Sequence, residues 1–299
     1  MLACQIDIPL TITAADRDRH LHRLAGEITS QVRQFSANHF HHTTHYGGTN
    51  DSFTADSHTG NTAGNTTGNN IDLIVLPELA SMDYSREAFE QLALLAEPLQ
   101  GPSAECWARV AIDCNCHIAY GFARKVKTGY TISVAVVSPD GSLVGHYDKM
   151  HLAQYGASME KEYFQRGNQV FVFNIGDLRL APIICYDIRF PELCRSLALQ
   201  HRVDAILHCG AYYRDESFDT WHDFVRTRAL ENQLYFLSLN RAGKHYGHSV
   251  FCPPWVDNNR PHTTFDVHRE EFRVFSIDRQ TILQARETYS FLHDRLESY

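Results

Sequence analysis

The chain of 299 residues is long enough for one large domain or two average ones, and its hydrophobic fraction of 43% is ordinary for a globular protein. The formal net charge of −8 argues against a surface that binds nucleic acid or anionic lipids, because such surfaces need clustered lysine and arginine. No apolar run reaches the roughly 18 residues of a membrane helix, and the N-terminus lacks the pattern of a secretory signal. The composition therefore predicts a cytoplasmic protein with neither a nucleic-acid nor a membrane partner.

Eight cysteines are present, mostly inside apolar stretches such as ILHCGAYY and PELCRSLAL. This usage is typical of a reducing compartment, since a chain of this length does not need disulfides for stability. The segment CNCH places Cys114, Cys116 and His117 close together, but it lacks the second ligand pair of a zinc site. It also lies where a helix should pass into a strand, so core packing is the favoured interpretation and no metal is predicted.

The N-terminal segment predicts a strand followed by an amphipathic helix. The stretch LACQIDIPL has the composition of a first strand. Apolar residues then recur at spacings of three and four from Leu21 to Phe35, which indicates a helix with one buried face.

Residues 36–70 form an insertion of different composition. The segment is rich in Asn, Thr, Gly, Ser and His and almost lacks aliphatic side chains, so it cannot bury enough apolar surface to fold alone. We expect a long, mobile, solvated loop. A metal- or partner-binding role is the alternative, because the insertion contains four closely spaced histidines: His39, His41, His42 and His45.

After the insertion, short apolar strands alternate with helical patterns and hairpins. The continuous apolar run IDLIVLP (71–77) is typical of a buried strand, and Pro139-Asp140-Gly141 marks the turn of a hairpin. This alternation predicts an α/β protein with a mixed sheet, organised as a single domain over residues 1–299 that carries the insertion at about 36–70. The expected helices cover about 86–98, 103–115, 191–200 and 219–232, and the expected strands and hairpins cover 117–123, 130–149, 169–187, 203–210, 234–243, 248–254 and 271–278.

Three chemically active side chains directly follow expected strands. Glu78 ends IVLPE, Lys149 ends LVGHYDK and Cys185 ends APIIC. Sites in open α/β sheets form beyond the strand ends, and a carboxylate, an ammonium and a thiol held by rigid strands suit covalent catalysis. The carboxylate would take the thiol proton, and the lysine would favour the thiolate or bond to an oxyanion. Each residue alone also has a structural explanation, as a helix cap, a surface charge and a core thiol respectively.

These three residues lie in the segments LIVLPELASMDYS, HYDKMHL and IICYDIRFPEL. The segments resemble the three signatures of the nitrilase superfamily of carbon–nitrogen hydrolases, and they occur in the family's order and with similar spacing. Further segments that are similar to family segments are EKEYFQRG, RTRALENQLYFLSLNRAG and RETYSFLHDRLESY. The resemblance covers about residues 71–299 together with the first strand and helix.

The resemblance implies an αββα sandwich that becomes a four-layer unit when two copies dimerise. It implies that Cys185 is the nucleophile, that Glu78 is the general base, and that Lys149 stabilises the tetrahedral intermediate. The backbone N–H of Tyr186 would complete the oxyanion hole.

The segment EKEYFQRG implies a second glutamate in the site. Glu160 would orient the lysine or assist proton transfer, with Glu162 close by as the other candidate. The resemblance implies no metal and no organic cofactor. It implies a small-molecule amide substrate and a homodimer or higher homo-oligomer.

The string CYDIRFPEL resembles the amidase branch of the family, which includes ω-amidases and deaminated glutathione amidase. The implied reaction is hydrolysis of a non-peptide carbon–nitrogen bond of a small amide through a cysteine thioester, with release of ammonia or an amine. An N-carbamoyl amidohydrolase and a nitrilase of the same family remain alternatives. Arg189 would pair with a substrate carboxylate, or it would form a structural ion pair with Asp187 or Glu192.

Several aromatic side chains and one histidine are candidate pocket residues by their position, although aromatic residues more often belong to the core. They are Tyr155, Tyr186, Tyr212, Trp221 and His222.

Two alternatives to the Glu-Lys-Cys hypothesis remain at this point. A papain-like arrangement would pair Cys185 with His151 or His222 and would need neither Glu78 nor Lys149. A binding module without catalysis would use the His-rich insertion to hold a metal or a partner. The presence of both glutamates, the lysine and the cysteine favours the enzyme, because a pure binding role does not require all four.

Overall fold

Two six-stranded sheets form the centre of the molecule in a computed structural model, which describes residues 1–43, 70–296 and 298. The strands in these ranges are β1 (Leu2–Gln5), β2 (Leu73–Val75), β3 (His117–Val126), β4 (Gly129–Val137), β5 (Leu143–Asp148), β6 (Phe173–Ile175), β7 (Leu178–Ile184), β8 (Ala205–Cys209), β9 (Tyr235–Leu239), β10 (Val250–Cys252), β11 (Thr263–Thr264) and β12 (Glu271–Val274). The α-helices are α1 (Ala14–Thr43), α2 (Arg86–Phe89), α3 (Leu92–Leu95), α4 (Pro102–Cys114), α5 (Glu160–Tyr163), α6 (Pro191–Leu199), α7 (Trp221–Asn232), α8 (Arg279–Thr288) and α9 (Phe291–Asp294). Short 3-10 helices cover Cys185–Arg189 and Phe218–Thr220.

The two sheets have matching mixed topologies. The strand order is β12-β1-β2-β3-β4-β5 in one sheet and β11-β10-β9-β8-β7-β6 in the other. Strands β1, β2 and β3 are parallel, as are β7, β8 and β9, and the outer strands pair antiparallel. Mixed sheets are therefore confirmed, and the carboxyl ends of the parallel strands in each sheet lie at one edge, where polar residues can meet.

Alternating side chains along the strands divide the apolar core into three layers. In β2, Leu73 and Val75 belong to the cluster between the sheets, whereas Ile74 belongs to the cluster under α1 and α4. In β8, Leu207 lies between the sheets and Ile206 lies under α6 and α7. Successive strand side chains point to opposite faces, so each sheet buries one face on the other sheet and one on helices. The predicted αββα sandwich is confirmed.

The first helix is longer than its sequence pattern predicts. Leu21, Leu24, Ile28 and Val32 are buried as expected, but α1 begins at Ala14 and continues to Thr43. Residues 36–43 are therefore helical rather than part of the expected loop, because helical backbone geometry does not require apolar side chains at every turn. The remainder of the insertion, 44–69, and the side chains of the four clustered histidines lie outside the described residues.

The expected helix over 86–98 is two single-turn helices, α2 and α3, separated at Gln91. The apolar residues on both sides of this turn face the same core, so their helical spacing does not reveal the break. The helical backbone ends at Ala96, whose conformation is extended, two residues before Pro98. The first strand is also shorter than expected and ends at Gln5.

The CNCH segment is a helix-to-strand junction, as expected. Cys114 ends α4, Asn115 takes a left-handed conformation with φ of 49°, and Cys116 returns to the core. No group of three His, Cys, Asp or Glu side chains in the described residues could hold a metal ion. Within the same part of the chain, no helix is long and apolar enough to cross a membrane.

Candidate active site

The four candidate catalytic residues converge between the carboxyl ends of the two sheets. Glu78 follows β2, Lys149 follows β5, Cys185 follows β7, and Glu160 begins α5. The side chains of Glu78, Lys149 and Glu160 are fully buried, and Cys185 is partly exposed. The structure therefore brings together all four residues that the sequence singled out.

Lys149 is the centre of this cluster. Its Nζ donates to Glu78 Oε1 at 2.8 Å and to Glu160 Oε1 at 2.6 Å. Burial alone would lower the pKa of Lys149, but the charges of Glu160 and Glu78 outweigh burial and hold this pKa well above its usual value. An ammonium has three donors, so one remains for a further acceptor beside Cys185.

Glu160, rather than Glu162, is the second glutamate of the cluster. Glu160 Oε1 also accepts from the Tyr84 hydroxyl at 2.7 Å, and its Oε2 accepts from the backbone N–H of Ala153 at 2.9 Å. Glu162 points to solvent and pairs with Arg86 at 2.8 Å. Because Glu160 is held by three donors, it fixes the position of the lysine.

The backbone around Glu78 requires a glycine on the neighbouring strand. Leu79 has a positive φ of 49°, and Ala80 N donates to the carbonyl of Gly121 in β3. A Cβ at Gly121 would lie 2.3 Å from the Pro77 oxygen and 2.8 Å from Glu78 Cα. Only glycine leaves room for the chain to pass this close, so Gly121 sets the position of Glu78.

The carboxyl group of Glu78 has the properties of a base poised near neutral pH. Burial raises the pKa of Glu78 to about 7, against the opposing charge of Lys149. Its second oxygen, Oε2, is buried and has no hydrogen-bond partner among the described residues. The Cys185 thiol is nevertheless close enough to lower the pKa of Glu78. This oxygen is therefore available to accept a proton from the thiol.

Cys185 lies on a strained turn between β7 and the 3-10 helix that it starts. Its φ of 43° is left-handed, which is uncommon for a residue with a Cβ. Burial and the charge of Glu78 raise the pKa of the thiol well above its ordinary value, while Lys149 and the Ala211 N–H oppose this shift. The resting thiol is therefore protonated, and it needs a neighbouring base for activation.

Asp187 ties the turn that carries Cys185 to the loop that carries Lys149. Its Oδ2 accepts from Ile184 N at 3.0 Å and from the Tyr147 hydroxyl at 2.7 Å. Its Oδ1 accepts from His151 N at 3.0 Å and lies 2.7 Å from His151 Nδ1. This buried carboxylate therefore fixes the relative positions of two segments that are distant in sequence.

Three of the candidate substrate-binding residues form one group near Cys185, because Tyr155 interacts electrostatically with Cys185, Tyr186 and Arg189. The Tyr155 and Tyr186 rings are 5.4 Å apart, and Tyr155 is 37% exposed. Arg189 donates to Thr220 Oγ1 at 3.2 Å and lies over the Phe224 ring at 4.4 Å. The alternative in which Arg189 pairs with Asp187 or Glu192 is wrong, because Asp187 is occupied by other donors and Arg189 has no ion pair within the described residues.

The other three candidates, which include the fully buried Trp221, have different surroundings from those expected. Tyr212 is buried and donates its hydroxyl to the Cys185 carbonyl oxygen at 3.1 Å. His222 contacts the His248 carbonyl at 2.7 Å and the Trp221 ring, not Cys185. The structure therefore removes His222 from the immediate surroundings of the thiol, and Tyr212 supports the backbone of Cys185.

The papain-like alternative has no geometric support. His151 is bonded to Asp187 and stacks on Phe190, and His222 is bonded to His248. A third histidine, His208, reaches the Cys185 carbonyl oxygen at 2.9 Å rather than the sulfur. Sequence reasoning missed His208, whose only signal is a polar side chain inside the buried strand AILHC.

Comparisons with known proteins agree with this fold. The model of the carbon-nitrogen hydrolase family matches residues 3–258 of the chain. The chain belongs to the carbon-nitrogen hydrolase family. The match includes the first strand and helix and ends before the C-terminal segment.

Individual relatives include a nitrilase and an amidase. A nitrilase from Pyrococcus abyssi is 33% identical over 236 residues, which cover 76% of this chain and 85% of that protein. A 2-oxoglutaramate amidase from Bacillus subtilis is 29% identical over 232 residues, which cover 75% of this chain and 84% of that protein. The solved structure of Saccharomyces cerevisiae Nit3, a member of branch 10 of the nitrilase superfamily, has the same fold with a TM-score of 0.75 at 18% identity, over 100% of this chain and 97% of that one.

Proposed function

We propose that the protein is an amidase that hydrolyses a small linear amide bearing a carboxylate, through a thioester on Cys185. The observation that carries the proposal is the buried cluster in which Lys149 bridges Glu78 and Glu160 beside the Cys185 thiol. A base, an ammonium donor and a nucleophile are then present together, as acyl transfer requires.

In the acylation step, Glu78 takes the thiol proton while the sulfur attacks the amide carbonyl carbon. The resulting oxyanion accepts hydrogen bonds from the remaining Nζ donor of Lys149 and from the Tyr186 N–H. The protonated Glu78 then gives its proton to the leaving nitrogen as the carbon–nitrogen bond breaks. Ammonia or an amine departs, and the acyl group remains on Cys185.

In the deacylation step, Glu78 is again a carboxylate and takes a proton from water as the water oxygen attacks the thioester carbonyl. The same two donors stabilise the second oxyanion. The carbon–sulfur bond breaks, the sulfur recovers the proton from Glu78, and the carboxylic acid leaves. One difficult hydrolysis is thus divided into two easier steps.

Arg189 supports a substrate with a carboxylate at the end away from the amide. Arg189 follows Cys185 by four positions in the sequence, and its guanidinium has no acidic partner within the described residues. Its charge acts on the mouth of the site, where burial raises the pKa of Tyr155 and Arg189 opposes that shift. A guanidinium binds a carboxylate bidentately, so a monoamide of a short dicarboxylic acid fits this arrangement. The similarity to a 2-oxoglutaramate amidase supports the same substrate class.

The pH dependence of the reaction should report the ionisation of Glu78. Only the carboxylate form accepts the thiol proton, and burial raises its pKa to about 7 from an ordinary 4.5. We therefore expect kcat/KM to fall about tenfold per pH unit on the acid side of this value. Initial rates measured across this range test the expectation, with Glu162→Gln as the control because that carboxylate is exposed. A fall in kcat/KM that began only near 4.5, the ordinary pKa of a glutamate, would contradict this expectation.

Replacing Arg189 should affect carboxylate-bearing substrates selectively. We expect Arg189→Met to raise KM for a dicarboxylate monoamide by about 10- to 100-fold, the effect of losing a charged hydrogen bond. A neutral amide of the same length should be unaffected. Arg195→Met is the matched control, because Arg195 is also close in sequence but bonds to Glu231 on α7. Equal losses with both substrates would contradict a carboxylate-binding role.

The proposed function is tested by measuring ammonia release from a panel of small amides, carbamoyl compounds and nitriles. The proposal expects the highest kcat/KM for a dicarboxylate monoamide. Faster turnover of a carbamoyl compound or a nitrile would assign the protein to the carbamoylase or nitrilase alternative. Absence of turnover with every compound would favour the binding module.

A further inference from the structure

Two buried side chains donate hydrogen bonds to the carbonyl oxygen of Cys185. His208 Nε2 lies 2.9 Å from this oxygen, and the Tyr212 hydroxyl lies 3.1 Å from it. His208 belongs to β8, and Tyr212 follows the same strand, so both are held by the second sheet. Neither bond is directed at the sulfur, and the reaction steps described above do not use either residue.

The direction of every hydrogen bond in this group is fixed. A carbonyl oxygen only accepts, so His208 Nε2 carries a proton. Burial lowers the pKa of His208 to about 4, so its imidazole is neutral and Nδ1 must accept. The donor to Nδ1 is the Ser238 hydroxyl at 2.7 Å, and Ser238 Oγ accepts in turn from Trp221 Nε1 at 2.9 Å. Because an indole can only donate, the chain runs from Trp221 through Ser238 and His208 to Cys185.

The carbonyl oxygen of Cys185 and the N–H of Tyr186 belong to the same peptide group. Hydrogen bonds donated to the oxygen polarise the amide, which makes the N–H at its other end a stronger donor. The two donors also fix the plane of this peptide, next to a residue with a left-handed φ of 43°. The Tyr186 N–H is the oxyanion donor of the proposed mechanism.

We infer that His208 and Tyr212 are positioning residues that hold and polarise the Cys185–Tyr186 peptide so that the Tyr186 N–H stabilises the oxyanion. Ser238 and Trp221 keep His208 in the tautomer that this role needs. The role rests on the proposed amidase function, since it acts on the tetrahedral intermediate of that reaction. It predicts an effect on kcat rather than on substrate binding, because the oxyanion is absent from the ground state.

The test compares two reactions of Cys185 that differ in their need for an oxyanion donor. Amide hydrolysis forms an oxyanion, whereas alkylation by iodoacetamide displaces iodide from carbon and forms none. Alkylation is followed by mass spectrometry of the tryptic peptide 180–189, in which Cys185 is the only cysteine. Alkylation at Cys185 must be measured in its own peptide because Cys114 reacts as well. The hydrogen bond from Cys116 lowers the pKa of the Cys114 thiol to about 7.

We expect Tyr212→Phe and His208→Leu each to lower kcat about tenfold with KM unchanged, less than the loss of a whole oxyanion donor. The alkylation rate at Cys185 should stay at the wild-type value. His208→Gln, which retains a donor near Nε2, should be more active than His208→Leu. Tyr120→Phe is the matched control, since the buried Tyr120 hydroxyl has no hydrogen-bond partner among the described residues and lies under the outer helices.

Two results would overturn the inference while the proposed function stands. One is that the folded Tyr212→Phe, His208→Gln and His208→Leu variants all keep the wild-type kcat. The other is a parallel loss of hydrolysis and alkylation, which would indicate that the turn itself has collapsed. A wild-type protein that hydrolyses no amide would overturn the proposed function and this role together.

Discussion

Replacing Cys185 with alanine is expected to lower ammonia release from the preferred amide by at least about 10⁴-fold, because no other group can form the acyl intermediate. The thiols of Cys194 and Cys209 cannot substitute for it, since both side chains are fully buried in the core and out of reach of a substrate. The thermal unfolding temperature should change little, because the substitution removes one sulfur atom from a partly exposed residue that is in no disulfide.

The control for this variant is Cys114→Ala, which removes a partly exposed thiol at the end of α4, far along the chain from the site. It should keep wild-type activity. If Cys185→Ala retained the activity of this control, the thioester mechanism would be wrong even though the fold and family remained correct.

Replacing Lys149 with methionine is expected to remove both activity and a large part of the stability. The variant leaves Glu78 and Glu160 buried without their shared cation. Breaking a buried ion pair on one side costs about 3–5 kcal/mol of the free energy of unfolding. Urea unfolding measures this loss, and Lys161→Met on the exposed face of α5 is the matched control.

The loss of stability in Lys149→Met should depend on pH. The charge of Lys149 lowers the pKa of Glu78 in the native protein, so its removal raises that pKa further. A group whose folded pKa lies above its unfolded value favours the folded state at low pH, so the deficit should be larger at about pH 8 than at about pH 5. Lys149→Met/Glu160→Gln should recover part of the stability but none of the activity. A Lys149→Met protein as stable as the wild type would contradict the ion-pair account.

The cluster of Glu78, Lys149, Glu160 and Cys185 could largely be predicted from sequence, because rigid strands position three of its members. Glu78 and Cys185 each follow a buried apolar strand, and Lys149 follows β5, which runs in the same direction as β3 because both pair antiparallel with β4. Strands that run in the same direction end at the same edge of a sheet. The choice between Glu160 and Glu162 required the structure, because two residues of separation on a one-turn helix place one carboxylate inside and the other in solvent.

Other features depend on contacts that no local pattern encodes. The role of His208 follows from the pairing of β8 with β7, in which Ile184 lies opposite Cys209. The surroundings of Arg189 follow from the packing of the 3-10 helix against α7, which brings Phe224 beneath its guanidinium. The length of α1 is equally hidden, because its last turns lack the apolar periodicity that marks its middle.

The most direct test of the central claim is the mass of the Cys185 peptide during turnover. The enzyme is mixed with its preferred amide, quenched in acid within the steady state, and digested to release peptide 180–189. We predict that this peptide gains the mass of the substrate acyl group at Cys185, and that the adduct disappears when substrate is exhausted. Turnover at the full rate by the wild type with Cys185 unmodified, together with turnover at the full rate by Cys185→Ala, would contradict the mechanism.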